Sequence, residues 1–392
     1  MAVETSDSFE ALEAQAEVIM AVFNEAAYER VAPSIIQPAD TFLDVVGERL
    51  RARTYVFTDQ DGEMLCLRPD ITVPTARIYL QRYPQADTAA RYCYNGSVFR
   101  YQPGGGSPAH PREFRQAGIE LYAQIDEAKA DAEVLLRTLA AVTAAGLKAP
   151  KLRIGDLGLF DALLDAVDIP ERWRQRLLAQ FWRPEAFRAE LKRLSTMPGS
   201  AVDGLPADLI ARLDHEAPDD AEGLVQDYLD AQGIEAIGTR TVSEIAARLL
   251  SIAHDAHSAP LPKTIAALIE NYLAISAPVR AAGARIKDLF QRNDIDIGEA
   301  LDAFERRLAL LTKGGANISQ ATFDAEFGRS FEYYTGFVFE ICSEDLGPAS
   351  PIAGGGRYDE LLHVIGAPKP IPAVGAAIYT DRLLLAAGGD GS

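Results

Sequence analysis

From about Asp168 to about residue 317 the sequence is rich in alanine, leucine and arginine and reads as helix almost throughout. The segments on either side are dense in short strand signals. Within the helical stretch, "VSEIAARLLSIAHDA", "KTIAALIENYLAI" and "IGEALDAFERRLALLTKGG" repeat apolar side chains at the spacing of one helix face. A sheet begun before this stretch and finished after it is assembled from two distant pieces of chain. The expectation is a discontinuous domain, residues 1–167 and 318–392, with residues 168–317 as a helical insertion. In the first piece strands and helices mix without regular alternation. That favours an α+β class, an antiparallel sheet flanked by helices.

Local signals fill in this frame. Residues 8–29 place apolar side chains at helical spacing, and a short extended run near Val31 to Ile36 follows. "TYVFTDQDGEMLCLRPD" reads as a hairpin turning at Asp59 to Gly62, and "ITVPTARIYLQRY" starts a helix with Thr72 near its N-terminus. Residues 91–123 give two strands joined by a glycine-rich loop. "DEAKADAEVLLRTLAAVTAAGL" is a helix, and "APKLRIGDLGLFDALLDAV" a strand, turn and helix. Strand signals return at "FEYYTGFVFEICSED" and finish with "PAVGAAIYTDRLLLAA".

Strand parity selects the first candidate residues. In "FRYQPGGGSPAHPREFRQAGIELYA", residues 99–123, Gln116, Gly118 and Glu120 share one face, with the glycine opening space between an amide and a carboxylate. Such a pair suits an ammonium group, which brings three donors. Alternation alone fits a solvent-exposed strand face as well. Asp70 and Thr72 stand where a strand gives way to a helix, and Asp70 taken singly reads as a helix cap. Arg329, Tyr333 and Tyr334 combine a guanidinium with two phenols, a set fitted either to carboxylate capture or to ordinary core packing.

Other features carry less. "PIAGGGRYDELL" and "PGGGSPAHP" match no phosphate-loop or dinucleotide pattern and mark tight backbone turns. His254 and His257 have a metal-compatible spacing but no third ligand nearby. No nucleophile elbow supports a serine hydrolase. A net charge of −19 over 392 residues opposes broad nucleic-acid binding. Three scattered cysteines give neither a disulfide framework nor a thiolate zinc site. The acidic N-terminus is no export signal, and no apolar stretch is long enough for a bilayer. A cytoplasmic protein is expected.

Taken in order, "LRPDIT", "FRYQ…REFRQAGIE", "RSFEYYTGFVFE", "GGGRYDEL" and "PAVGAAIYTDRLLL" resemble the landmarks of a class II aminoacyl-tRNA synthetase core, closest to histidyl-tRNA synthetase. The resemblance covers about residues 8–167 and 318–392. "YERVAPSIIQPADTF" looks like the first motif of that core, with Pro33 at a dimer interface. The resemblance implies a histidine pocket. Asp70 and Thr72 match the pair that contacts the amino group, with aspartate where the synthetase has glutamate. Gln116 and Glu120 match its floor, Arg329, Tyr333 and Tyr334 its histidine-specific residues, and Arg100 is counted with this histidine-binding set. Arg100 is similar to the second-motif arginine on the ATP phosphate, and Arg382 to its third-motif counterpart.

The departures matter as much. Gln102 stands where the synthetase has an adenine-contacting glutamate, the loop "PGGGSPAHP" has no lysine or arginine, and "RGLDYY" has become "RSFEYY". With only a few residues after the third motif, no anticodon-binding domain is expected. That combination resembles the ATP phosphoribosyltransferase regulatory subunits, which implies no cofactor and no catalysis by this chain. Arg100, Gln102 and Arg382 then form a vestigial nucleotide site. The family implies a short-form catalytic subunit as partner, homodimers through the synthetase-like core within a hetero-octamer, and free histidine as ligand. A truncated synthetase-like enzyme that activates histidine with ATP is the alternative.

Overall fold

The structure is a computed structural model that describes residues 6–43, 50–107, 110–196, 207–213, 218–233, 242–256, 258–327 and 333–388. It divides into two compact units, one of Met1–Ala166 with Tyr272–Ser392, the other Val167–Asn271. No helix among the described residues is long and apolar enough to cross a membrane.

The first unit is organised on a nine-stranded sheet. Its strands are β1 (Glu29–Arg30), β5 (Ala90–Phe99), β6 (Glu113–Tyr122), β7 (Lys151–Asp156), β8 (Ser276–Pro278), β9 (Thr322–Asp324), β10 (Phe337–Cys342), β11 (Ala353–Arg357) and β12 (Ala373–Tyr379). They lie in the order β1-β5-β6-β12-β11-β10-β7-β9-β8. Neighbours are antiparallel from β5 through to β7, as the unalternating sequence signals imply, while β1 joins β5 and β9 joins β7 in parallel. A separate three-stranded sheet sets β4 (Met64–Leu67) between β2 (Ile36–Pro38) and β3 (Tyr55–Thr58). The expected hairpin at Asp59 to Gly62 is the β3–β4 turn, where the Asp59 carboxylate accepts from the amides of Asp61 and Glu63.

Helix Glu127–Ala144 is capped by Asp126, whose side chain accepts from the Lys129 amide. It packs against helix Gly298–Lys313 and on the strands beneath. The return to the sheet unit comes earlier than the expected residue 318. Residues 272–317 belong to this unit: β8 pairs with β9, and helix Val279–Gln291 packs on that pair through a stripe that includes Ala282, Ile286 and Phe290. Helical spacing shows that a helix has a buried face, not which element covers it. The glycines of "AGGGR" are also not turns. They run inside the buried strand β11, where a side chain on Gly355 would meet the Gly375 carbonyl at 2.2 Å. Glycine in a strand interior often marks such a close approach.

The second unit contains helices Glu171–Gln180, Pro184–Thr196, Ala207–Leu213, Pro218–Gln232 and Val242–Ala256. Its core includes Leu209, Leu213, Val225, Leu249 and Leu250. Buried Asp255 accepts from the Trp173 indole at 2.6 Å and pairs with Arg172 and Arg176. His257 lies outside the described residues, so the His254–His257 pair has no structural account.

Candidate functional site

β6 carries the predicted parity. Gln116, Gly118 and Glu120 stand opposite Gly96, Tyr94 and Tyr92 of β5, and opposite Tyr379, Ala377 and Gly375 of β12. The face is not solvent-exposed: Gln116 is 1% and Glu120 0% accessible. A narrow cleft opens over it, enclosing about 310 Å³ of unfilled space that includes open solvent. Asp70, Thr72, Gln116, Tyr333, Tyr334 and Tyr358 are among the residues that line it.

Asp70 acts at two ends. Its Oδ1 accepts from the Val73 amide at 3.2 Å, a bond to the first turn of helix Thr72–Arg82 from the residue before the N-cap, Ile71. Its Oδ2 is buried with no hydrogen-bond partner among the described residues, and the Oε1 of Gln116 is in the same condition. Burial pushes the Asp70 carboxyl up to about 6, opposed by the Arg100 guanidinium and the Val73 amide. Two buried acceptors without donors are costly unless a ligand supplies them. Around them stand three aromatic rings: Tyr333 and Tyr334 with centroids 4.9 Å apart, and Tyr358 edge-on to Tyr333 at 5.6 Å. Acceptors beside π-faces suit a cationic ligand.

Glu120 is placed differently from the expectation of a pocket floor. It does not line the cleft. The Tyr94 hydroxyl donates to Oε1 at 3.1 Å, and the Tyr358 hydroxyl donates to Oε2. Two glycines make this closure possible. A side chain on Gly118 would sit 2.5 Å from the Tyr94 hydroxyl, and one on Gly375 only 1.6 Å from Glu120 Oε2. The space beside the glycine is thus filled by Tyr94. Burial holds the Glu120 carboxyl up at about 8, against hydrogen bonds from Tyr358, Thr72 and Tyr94.

Arg100, Gln102 and Arg382 meet in a second cleft, about 360 Å³ of unfilled space with open solvent included, lined also by Arg53, His110, Phe114, Tyr379 and Asp381. Arg100 lines this cleft and not the first. Its Nε donates to the Pro69 carbonyl at 2.8 Å, and its guanidinium lies 5.1 Å from the Phe114 ring centre. Arg382 donates to the Pro351 carbonyl at 2.9 Å, sits within 2.9 Å of His110 Nδ1, and stacks 4.3 Å from the Tyr379 ring centre. Gln102 reaches the Pro111 carbonyl at 3.4 Å. Arg329, Phe331 and Glu332 lie outside the described residues.

The histidyl-tRNA synthetase family model matches residues 5–207 and 222–383. The ATP phosphoribosyltransferase regulatory subunit of Brucella canis is 36% identical over 370 residues, 93% of this chain and 95% of that protein. That of Brucella melitensis biotype 1 is also 36% identical, over 93% of this chain and 94% of its own. The chain belongs to the ATP phosphoribosyltransferase regulatory subunit family. Among solved structures, an ATP phosphoribosyltransferase regulatory subunit/histidyl-tRNA synthetase from Bacillus halodurans matches 99% of this chain and 82% of its own, with TM-score 0.69 at 23% identity. The apo histidyl-tRNA synthetase of S. aureus matches 100% of this chain and 73% of its own, with TM-score 0.58 at 19% identity. These likenesses establish a class II synthetase-like fold for this family member.

Sequence reasoning passed over Tyr94, Tyr358 and His110. Tyr94 has a usable signal: it faces Gly118 across a strand pair, and a large ring opposite a glycine fills the space that the glycine leaves. Tyr358 follows the glycine run of β11, which hides it while that run is read as a turn. His110 stands at the far end of the β5–β6 loop, and nothing local links it to Arg382.

Proposed function

We propose that this chain is the non-catalytic regulatory subunit of an ATP phosphoribosyltransferase, serving the first step of histidine biosynthesis in the cytoplasm, and that free histidine binds in the first cleft. One observation carries the ligand assignment: Asp70 Oδ2 and Gln116 Oε1, both buried acceptors without partners among the described residues, belong to one tyrosine-lined cleft. An α-ammonium supplies the missing donors. Bound histidine favours one quaternary arrangement and lowers the activity of a short-form catalytic subunit, in a hetero-octamer with four copies of each chain.

Homodimers form through the synthetase-like core. Ile35, Ile36, Val56, Phe57, Met64 and Tyr101, in and beside the β2-β4-β3 sheet, are large apolar residues left exposed. Concentrated exposed apolar surface marks an interface. Light scattering on a Phe57→Glu variant shows monomers where the wild type shows dimers; an unchanged mass removes that surface from the dimer.

The deciding experiment is a calorimetric titration of histidine into the purified chain beside Asp70→Asn. Binding that weakens sharply in the variant supports the assignment, and equal affinity places the ligand elsewhere. Mixing the purified subunits tests the regulatory role: a catalytic chain that is fully active and histidine-sensitive alone overturns it. The reading as a histidine-activating enzyme draws on three arginines, Arg53, Arg100 and Arg382, in the second cleft. Histidine-dependent pyrophosphate exchange by the isolated chain establishes that reading, and its absence at high protein concentration retires it.

A further inference from the structure

The segment that leaves β11 reaches both faces of the sheet. Successive side chains of a strand project to opposite sides. Tyr358 lines the first cleft and donates to Glu120. Arg357 enters a buried network instead. Its Nη2 donates to Asp131 Oδ1 at 2.7 Å, and its Nη1 to Asp359 Oδ1 at 2.9 Å. The other oxygen of Asp131 accepts from Arg307 Nε at 2.8 Å, and Arg307 Nη1 donates to Asp156 Oδ2 at 2.5 Å. Arg357, Asp131, Arg307 and Asp156 are all buried.

The cleft walls rest on the same segment. The Thr335 amide donates to the Arg357 carbonyl at 2.8 Å, and the Asp359 amide donates to Thr335 Oγ1 at 3.1 Å. Thr335 directly follows Tyr333 and Tyr334. Residues 357–359 therefore anchor the tyrosine wall of the cleft. Asp131 and Arg307 belong to helices Glu127–Ala144 and Gly298–Lys313, which border an open groove on the same unit, about 1640 Å³ of unfilled space with open solvent included. The helices meet there closely, since a side chain on Gly314 would lie 2.3 Å from Leu136.

We propose that Tyr358 and Arg357 form a lever between the histidine cleft and this groove, so that an occupant displacing the Tyr358 ring resets the Asp131–Arg307 clamp between the two helices. The inference rests on the reading of the first cleft as a histidine site. Fixed-geometry charged hydrogen bonds suit such a relay, because each guanidinium holds two acceptors on different elements and cannot follow one without pulling the other. Packed interiors answer by switching arrangement more than by stretching.

Hydrogen-exchange mass spectrometry on the full chain, with and without saturating histidine, tests this. Histidine changes exchange about threefold or more in peptides covering 127–144 and 298–313. Arg307→Lys, which keeps the charge and loses the fork, binds histidine within about threefold of wild type yet shows no such change. Histidine binding with unaltered exchange in both wild-type helices overturns the lever, and so does a response that persists in Arg307→Lys. The wild-type measurement decides the point by itself if the variant does not fold. Absence of histidine binding to the wild type is a different result: it removes the site reading and the lever with it.

Discussion

The two clefts lie on one sheet unit and are built from similar means, yet they are in opposite electrostatic conditions. In the first, Asp70 Oδ2 and Gln116 Oε1 are buried acceptors with no donor among the described residues. In the second, guanidinium donors face the cleft and the chain takes up part of their capacity: Arg100 Nε holds the Pro69 carbonyl, and Arg382 holds the Pro351 carbonyl and His110. A polar group left unmatched carries a standing penalty that a ligand relieves, whereas a satisfied one must break bonds to receive anything. The presence of the right residue types therefore says less than whether their hydrogen-bonding capacity is spent.

Substitutions can break or sharpen that contrast. The largest effect on histidine affinity is expected from Asp70→Asn, a loss of about 1.5–3 kcal/mol, roughly ten- to more than a hundredfold in Kd by calorimetry. Gln116→Ala removes a neutral acceptor and costs about 0.5–1.5 kcal/mol in the same assay. Arg382→Ala changes histidine affinity least, within about twofold, because its hydrogen-bond partners, the Pro351 carbonyl and His110, do not line the first cleft and only the Tyr379 ring is shared. An Arg382→Ala loss equal to that of Asp70→Asn would collapse the distinction between the clefts.

Titration adds a second axis. An ammonium held by Asp70 requires the ionised carboxylate, so wild-type affinity weakens as pH falls through about 6, and Asp70→Asn loses that component of the pH dependence. For the ligand-free fold the sign is reversed. Asp70 at about 6 and Glu120 at about 8 are both raised above their ordinary values of 3.8 and 4.5. A raised acid contributes stability that is fully present below its unfolded value and is lost as pH rises through the folded one. The melting temperature of the ligand-free chain is expected to fall as pH rises from about 4 to about 8, and Glu120→Gln to flatten that fall. A melting temperature independent of pH in that window would show Glu120 ionised throughout and its closure by Tyr94 and Tyr358 of no energetic consequence.

The fold was legible to the extent that it depends on local signals. The β3–β4 hairpin, the strands on each side of the glycine loop, the helix from Thr72 and the capped helix from Asp126 all follow from alternation, helical spacing and turn or cap residues. The start of the insertion was readable as a change of composition near Asp168, and the second unit begins at Val167. Its end was not, because helices Val279–Gln291 and Gly298–Lys313 carry the same amphipathic pattern as those before them and differ only in what they pack upon. The glycines of β11 misled for a related reason: a turn and a close strand approach demand the same missing side chain.

By itself the sequence determined which residue types share a face, because side-chain direction along a strand repeats every two residues and needs no tertiary information. It put Gln116 and Glu120 together and set Asp70 at a helix start. Only the tertiary structure decided which of these groups meets the cleft. Parity fixes the side of a sheet but not the depth, and depth depends on what crosses from neighbouring strands. Tyr94 and Tyr358, admitted by Gly118 and Gly375, cover Glu120, while Asp70 and Gln116 keep an acceptor each unspent.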